Sequence, residues 1–125
     1  DYARSKGLNY LSLVVLEEIY ELGEDCTQKK ISEDIRYPKQ SVNLVIRSFL
    51  QDGYVTLKEL PTNRKVKQIL LTEKGRKLCQ DIVVPLIQKE EAALSGMGEQ
   101  ESSELLRLLS LYSRCYCEGV KELGS

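Results

Sequence analysis

Apolar residues recur along this chain in distinct rhythms, and each change of rhythm marks a new element. In "NYLSLVVLEEIYELG", Val15, Leu16, Ile19, Tyr20 and Leu22 share one broad face, which predicts a helix. Asn9 is the expected N-cap of that helix and Gly23 its C′ residue. Thr27 then caps a short helix, "QKKISEDI", whose inward residues are Ile31 and Ile35. A longer helix follows, with Pro38 expected at its first position, where the missing N–H costs nothing. Val42, Val45, Ile46, Phe49 and Leu50 keep the i, i+3, i+4, i+7, i+8 spacing of a buried stripe, and Asp52-Gly53 ends the helix. Two helices joined by a tight turn, the second more strongly amphipathic, form a helix-turn-helix.

The period then shortens to two. "YVTLKEL" alternates as a half-buried strand does, "PTNRK" is turn-like and basic, and "VKQILL" is a second β-rich run. A hairpin directly after a helix-turn-helix is a winged helix. From Thr72 the pattern is helical again, "TEKGRKLCQDIVVPLIQKEEAAL", with Leu78, Ile82, Leu86 and Ala93 on one face. Pro85 falls inside it and is expected to bend it or loosen a turn. "SGMG" interrupts, and "EQESSELLRLLSLYSRCYCEGVKEL" makes a last helix. Its Leu105, Leu108, Leu109, Tyr112 and Tyr116 form a wide stripe, continued by Val120, with nothing of its own to bury against. Such a surplus predicts a homodimer with that stripe as its interface.

The expected fold class is therefore mainly α with a small β-hairpin wing. One domain divides into residues 1–8, the tail of a first dimerisation helix; 9–76, a winged helix-turn-helix lobe; and 77–125, a helical dimerisation region. The opening "DYARSKG" lacks a Met and reads as the end of an earlier helix that is mostly missing.

Composition narrows the chemistry. At 125 residues and 42% hydrophobic, the chain can bury one modest core. It contains no histidine, no glycine-rich phosphate loop and no zinc-type cysteine spacing, so no active site, metal site or cofactor is expected. No apolar run approaches membrane-spanning length, and reduced cysteines in a cytoplasmic protein are the expectation. The net charge of −1 hides a division. Residues 28–77 hold twelve Lys and Arg against five Asp and Glu, a surplus of +7; the rest holds six against fourteen, a deficit of −8. A basic centre between acidic ends is an electrostatic footprint for a polyanion.

Side-chain chemistry sharpens that reading. With Val42, Val45, Ile46 and Phe49 inward, Lys39, Gln40, Asn43 and Arg47 project together, and Pro38 and Ser41 share their first turns. Gln and Asn can pair bidentately with adenine, and Lys can donate to guanine, so this is the composition of a recognition helix on double-stranded DNA. Arg64, Lys65 and Lys67 lie at or beside the hairpin tip, within reach of phosphates or a minor groove. Lys29 and Lys30, with the amides of the helix start at Thr27 and Gln28, would add backbone contacts.

"CTQKKISEDIRYPKQSVNLVIRSFLQDGYV", the hairpin, and above all "LLTEKGRKL" resemble the multiple antibiotic resistance regulator (MarR) family, from "GLNYLSLVVL" to the closing helix. The resemblance implies dimeric winged-helix transcription factors, usually repressors, built around first and last helices and acting on inverted-repeat operators. It also implies a small-molecule effector, or an oxidant, that controls DNA affinity. Family wings usually carry Asp-x-Arg; the matching positions here are Asn63 and Lys65, so the wing contact set becomes Asn63, Arg64, Lys65 and Lys67. Arg36 stands where such sequences often place Gly. Two alternatives share the fold: a winged helix used as a protein-interaction module, and a thiol-based redox-responsive regulator. Against the second, Glu24 and Asp25 beside Cys26 oppose a thiolate, and Cys26, Cys79, Cys115 and Cys117 all read as small buried or incidental residues. Tyr10, Tyr20, Tyr112 and Tyr116 could line a ligand pocket, but aromatic residues at helical spacing are more often core.

Overall fold

Helix starts are set where a side-chain oxygen can accept an otherwise orphaned amide. In the computed structural model, which describes residues 1–124, Asp1 caps a short helix α1 (Tyr2–Ser5) and Asn9 accepts the Ser12 amide at 2.8 Å to open α2 (Tyr10–Leu22). A 3₁₀ turn at Gly23–Asp25 leads to α3 (Gln28–Ile35), capped by Thr27 Oγ1 on the Lys30 amide at 3.1 Å. α4 (Lys39–Gln51) follows. Pro38 is the cap of α4 in extended conformation, one residue before the helical position that its sequence context suggests.

The hairpin is β1 (Val55–Leu60) against β2 (Asn63–Leu71), antiparallel from Val55↔Leu71 to Glu59↔Lys67, then shifting register to Leu60↔Asn63. The second strand thus begins at Asn63, three residues earlier than "VKQILL" suggests, because the bulge accommodates Arg64 to Val66 within the ladder. The wing has a third contributor that alternation could not reveal: Thr27 forms an isolated antiparallel bridge to Gln68, and the Ile69 amide donates to the Cys26 carbonyl at 2.8 Å.

α5 (Glu73–Met97) and α6 (Glu99–Leu123) complete the chain. Of "SGMG", only Gly98 interrupts the helices; its φ of 92° is left-handed territory, which glycine adopts without steric cost. Arg36 is the one non-glycine with positive φ among the described residues (58°), closing α3 in the left-handed conformation at about 1 kcal/mol. The departure from Gly seen in sequence is therefore tolerated as strain.

Contacts divide the chain into two compact units, Asp1–Leu86 and the segment from Ile87 onward, with the first ending one residue past Pro85. In the first, α2 buries Val15, Leu16 and Ile19, as Ile31, Val42, Ile46, Phe49, Val55 and Ile69 are buried, while its Leu13 joins a separate cluster with Ala3 and Ile82. Tyr20, expected on the apolar stripe of α2, lies outside it, 37% exposed. α1 packs Ala3 against Leu13 and Ile82, and Tyr2 Oη donates to the Ile82 carbonyl at 2.6 Å. In the second unit, Ser102 Oγ hydrogen-bonds the carbonyls of Leu94 and Gly98, securing the α5–α6 turn. Ala93, placed by its spacing on the inward face of α5, is exposed. None of the described residues of α6 is buried.

The "TEKG" stretch joins α5 to the end of α4. The Thr72 hydroxyl accepts the Gly75 amide at 3.0 Å and donates to the Gly53 carbonyl at 2.6 Å, while the Thr72 amide donates to the Tyr54 carbonyl at 3.0 Å. Lys74 Nζ reaches the Asp52 carbonyl at 2.7 Å and lies 4.9 Å from the centre of the Tyr54 ring. Gly75 lets the backbones touch, since a Cβ there would stand 2.0 Å from the Tyr54 carbonyl oxygen. Gly75→Ala tests this directly. Helix propensity alone would stabilise the variant by about 1 kcal/mol. Forced separation of α5 from the turn should outweigh it and destabilise by about 1–3 kcal/mol net, read as a lower urea midpoint.

Candidate nucleic-acid interface

The outward side of α4 and the inner side of the wing enclose a cleft of about 420 Å³. Its floor is apolar, formed by Ile46, Leu50, Leu57, Val66 and Ile69. Its rim carries Lys29, Lys39, Arg47, Lys65 and Lys67, and no carboxylate lines it. Five cations with no anion among them, on a chain of net charge −1, make this the place where the basic central segment converges. Thr27, Gln28 and Asn43 complete the lining.

Hydrogen bonds between segments hold the walls together. α4 is joined to the wing base through Tyr54 and Thr72, the start of α3 is joined to the wing through Thr27 and Gln68, and Gln68 Nε2 also donates to the Glu24 carbonyl. α3 is joined to α4 by the buried Ser32, whose hydroxyl donates to the Tyr37 carbonyl, and by Gln28, whose Nε2 donates to the Lys39 carbonyl at 3.1 Å.

The residues singled out in the sequence fall into several environments. Pro38, Lys39, Gln40 and Arg47 are exposed, and Ser41 is half-buried on the same two turns. Asn43 is half-buried, and its Nδ2 donates to Gln28 Oε1 at 3.0 Å. Arg64, Lys65 and Lys67 are exposed, in β2 beside the tip, and Arg64 does not line the cleft. Asn63 shapes the tip locally. Its Oδ1 accepts the Lys65 amide at 3.1 Å, an Asx-type bond that stands in place of an ion pair. The Thr27 hydroxyl is committed to the α3 cap. Lys29 and Lys30 each reach a carboxylate one turn on, Glu33 at 3.9 Å and Asp34 at 3.3 Å. Such exposed i,i+4 pairs hold only about 0.3–0.5 kcal/mol, so a phosphate can displace them.

One residue on this face gives no signal in the sequence. Leu44 is 68% exposed and shares a shallow hollow with Gln28, Lys39, Gln40 and Asn43. It falls between the polar positions of α4 and off the buried stripe, so hydrophobic periodicity passes over it. An aliphatic side chain there has the chemistry to meet a thymine methyl.

Elsewhere, burial corrects some expectations and refines others. Cys26 and Cys79 are fully buried, whereas Cys115 is exposed and Cys117 half-buried. Burial, with the charge of Glu18 second, pushes the Cys26 thiol up to about 12; burial pushes Cys79 up to about 11. The opposing carboxylate is thus Glu18, on α2, and not the adjacent Glu24 or Asp25. Tyr10, Tyr20, Tyr112 and Tyr116 are all exposed, so the aromatic spacing does not mark a core within this chain. Among the described residues no cluster of His, Cys, Asp or Glu is arranged to hold a metal ion, and no helix is long and apolar enough to cross a membrane.

No protein-family model matches the chain. Over 105 residues it is 31% identical to the uncharacterized HTH-type transcriptional regulator YybA of Bacillus subtilis, a match that covers 80% of this chain and spans 64% of that relative's length. Its fold superposes on the transcriptional regulator SlyA with a TM-score of 0.74 at 26% identity, covering 93% of this chain and 81% of that one. A MarR transcriptional regulator from Methanosarcina mazei gives 0.71 at 20% identity, covering 94% and 84%. Its sequence relative is thus an HTH-type transcriptional regulator, and its fold is that of the MarR-type regulators on which it superposes. Within that winged-helix architecture, the cleft lies between the second helix of the helix-turn-helix and the wing.

Electrostatics on the α2–α3 side of the lobe yield a prediction. Burial first, and then the neighbouring Asp34, raise the Glu18 carboxyl above its ordinary value of 4.5. In the window between that value and the raised native one, the folded chain binds more protons than the unfolded chain. Stability should therefore fall as pH rises through this window. Glu18→Gln should remove that component, so the variant's urea midpoint gains on the wild type across the window and keeps its advantage at neutral pH. Parallel wild-type and variant profiles would assign the effect to another group.

Proposed function

We propose that the chain is a sequence-specific, double-stranded DNA-binding transcriptional regulator, acting as a homodimeric repressor whose affinity for its operator responds to a small-molecule effector. The observation that carries this reading is the cleft of five cations and no carboxylate between α4 and the wing. A polyanion is the partner such a rim favours, and the amides and cations of the α4 face supply base-edge chemistry beside it.

In this reading Lys39, Gln40, Asn43 and Arg47 enter the major groove from the first turns of α4, with Pro38 and Ser41 against its edge and Leu44 toward a thymine methyl. Arg64, Lys65 and Lys67 take phosphates or the adjacent minor groove, with Asn63 shaping the tip that presents them. The main-chain amides of the helix start at Thr27 and Gln28, with the Lys29 and Lys30 side chains, meet the sugar-phosphate backbone, which leaves the Gln28 side chain to its bonds with Lys39 and Asn43. Residues 9–76 read DNA and residues 77–125 assemble the dimer. Support for assembly comes from α6, where Leu108, Leu109, Tyr112 and Tyr116 are exposed, Leu105 is half-buried, and the two tyrosine rings stack at 6.0 Å. A two-fold dimer sets its reading helices in successive major grooves about 34–36 Å apart, which makes the operator an inverted repeat.

Base contacts and phosphate contacts should separate by experiment. Gln40→Ala should cost about 1–3 kcal/mol on a duplex selected from a random pool and little on scrambled DNA. The triple alanine variant of Arg64, Lys65 and Lys67 should weaken binding to every duplex. Its salt dependence should flatten by about one slope unit for each phosphate no longer neutralised. An unchanged slope would take the wing off the DNA.

Assembly has its own test. A charge in the seam, Leu109→Asp, should split the dimer in sedimentation and abolish tight binding to the inverted repeat, with the reading lobe still folded. A wild-type monomer that binds an isolated half-site tightly would sink the dimer.

A further inference from the structure

Asn43 lies on the wall shared by the cleft and the shallow hollow outside α4. An asparagine amide has one donating and one accepting end, and an unanchored amide can present either. Here the anchor is Gln28, the first residue of α3. The Lys39 carbonyl can only accept, so the Gln28 amide must turn its Nε2 toward it, as it does at 3.1 Å. That leaves Oε1 facing Asn43. An amide oxygen can only accept in its turn, so Asn43 must offer Nδ2, as it does at 3.0 Å. One backbone carbonyl in the first turn of α4 thereby fixes both amides, and flipping either would set like ends against each other.

Asn43 keeps Oδ1 and one Nδ2 hydrogen for a ligand. The major-groove edge of adenine offers an N6 donor and an N7 acceptor, which match that pair. Guanine offers two acceptors, O6 and N7, and would oppose Oδ1. We propose that Gln28 is a positioning residue that locks the Asn43 amide in the orientation that selects adenine over guanine. The inference rests on the DNA-binding reading above and deepens it to a specificity rule.

The test measures the full chain on a duplex selected from a random pool by the wild type, and on versions with each A·T pair changed to G·C. Asn43→Ala should lose discrimination at one base pair per half-site, by about tenfold or more. Gln28→Met keeps the side chain's length and lacks both amide atoms. It should lose most of the discrimination at the same base pair, and the double variant should be no less selective than Asn43→Ala alone. Gln28→Glu keeps an acceptor for Asn43 Nδ2 while placing a negative charge by the cleft. It should bind every duplex more weakly yet retain the adenine preference better than Gln28→Met.

A uniform loss across all duplexes in Gln28→Met would make the Gln28 side chain a phosphate contact and overturn the proposal. So would relaxation at a different base pair, or a Gln28→Glu variant no more selective than Gln28→Met. Should the wild type fail to distinguish any selected duplex from scrambled DNA, the DNA-binding reading itself fails and this inference falls with it. In the other outcomes wild-type selectivity survives, so the two failures are distinguishable.

Discussion

The contact between Gly75 and the Tyr54 carbonyl is the constraint from which the rest of the winged-helix lobe follows. With no Cβ at Gly75, the first turn of α5 can press on the backbone that ends α4 and begins β1. Thr72 and Lys74 then satisfy the carbonyls of Gly53, Tyr54 and Asp52, which would otherwise be left open at a tight turn. Because Val55 pairs with Leu71 immediately beyond this clamp, the base of the wing is fixed relative to the end of α4. The cleft exists because that base cannot splay. Its width is a backbone property, set by hydrogen bonds that do not involve the cations on its rim.

Those cations explain how a chain with a slight negative charge can present a polyanion site. At physiological ionic strength charges are screened over about 8 Å, so a ligand in the cleft feels the cations on its rim most strongly. The rim gathers side chains from three places, α3, α4 and β2, that are distant in sequence and brought together by the backbone ties to the wing. The exposed pairs Lys29–Glu33 and Lys30–Asp34 moderate this field only slightly, because isolated surface pairs are weak.

The elements are legible where periodicity or capping chemistry is strong. Asn9 and Thr27 cap the helices their positions imply, the stripe of α4 from Val42 to Phe49 is buried, and the hairpin follows as its alternation suggests. What escapes the sequence depends on contacts between segments. The bridge from Thr27 to Gln68 joins residues 41 apart and leaves no local trace. Gln28 and Asn43 look like two unrelated polar residues until α3 and α4 are set side by side. Spacing alone puts Tyr20 in a core, and 3.6-residue periodicity does not tell the centre of a buried stripe from its edge. For the cleft, residue types are readable and their convergence is not. Arg64 and Lys65 are neighbours in sequence, yet only Lys65 lines it.

The two compact units satisfy their apolar surface differently, and this bears on how function depends on assembly. The first buries Leu16, Ile19, Ile31, Val42, Val55 and Ile69 within itself, each 2% exposed or less. At about 1.5–3 kcal/mol for each large aliphatic side chain, that core is the lobe's main internal source of stability. α6 has no such resource: its Leu106, Leu108, Leu109, Leu111, Tyr112 and Tyr116 are each at least 40% exposed. In proteins most helical stability comes from packing an amphipathic face, and none of the described residues of this 25-residue helix is buried. On the dimer reading, the same surface is what a second copy would cover, and its burial would order α6 while setting the distance between reading helices. Stability of the lobe and affinity for an operator then rest on separate sets of side chains. A substitution in the α6 stripe can abolish operator binding with the lobe's melting unchanged, whereas one at the Gly75 clamp must disturb both.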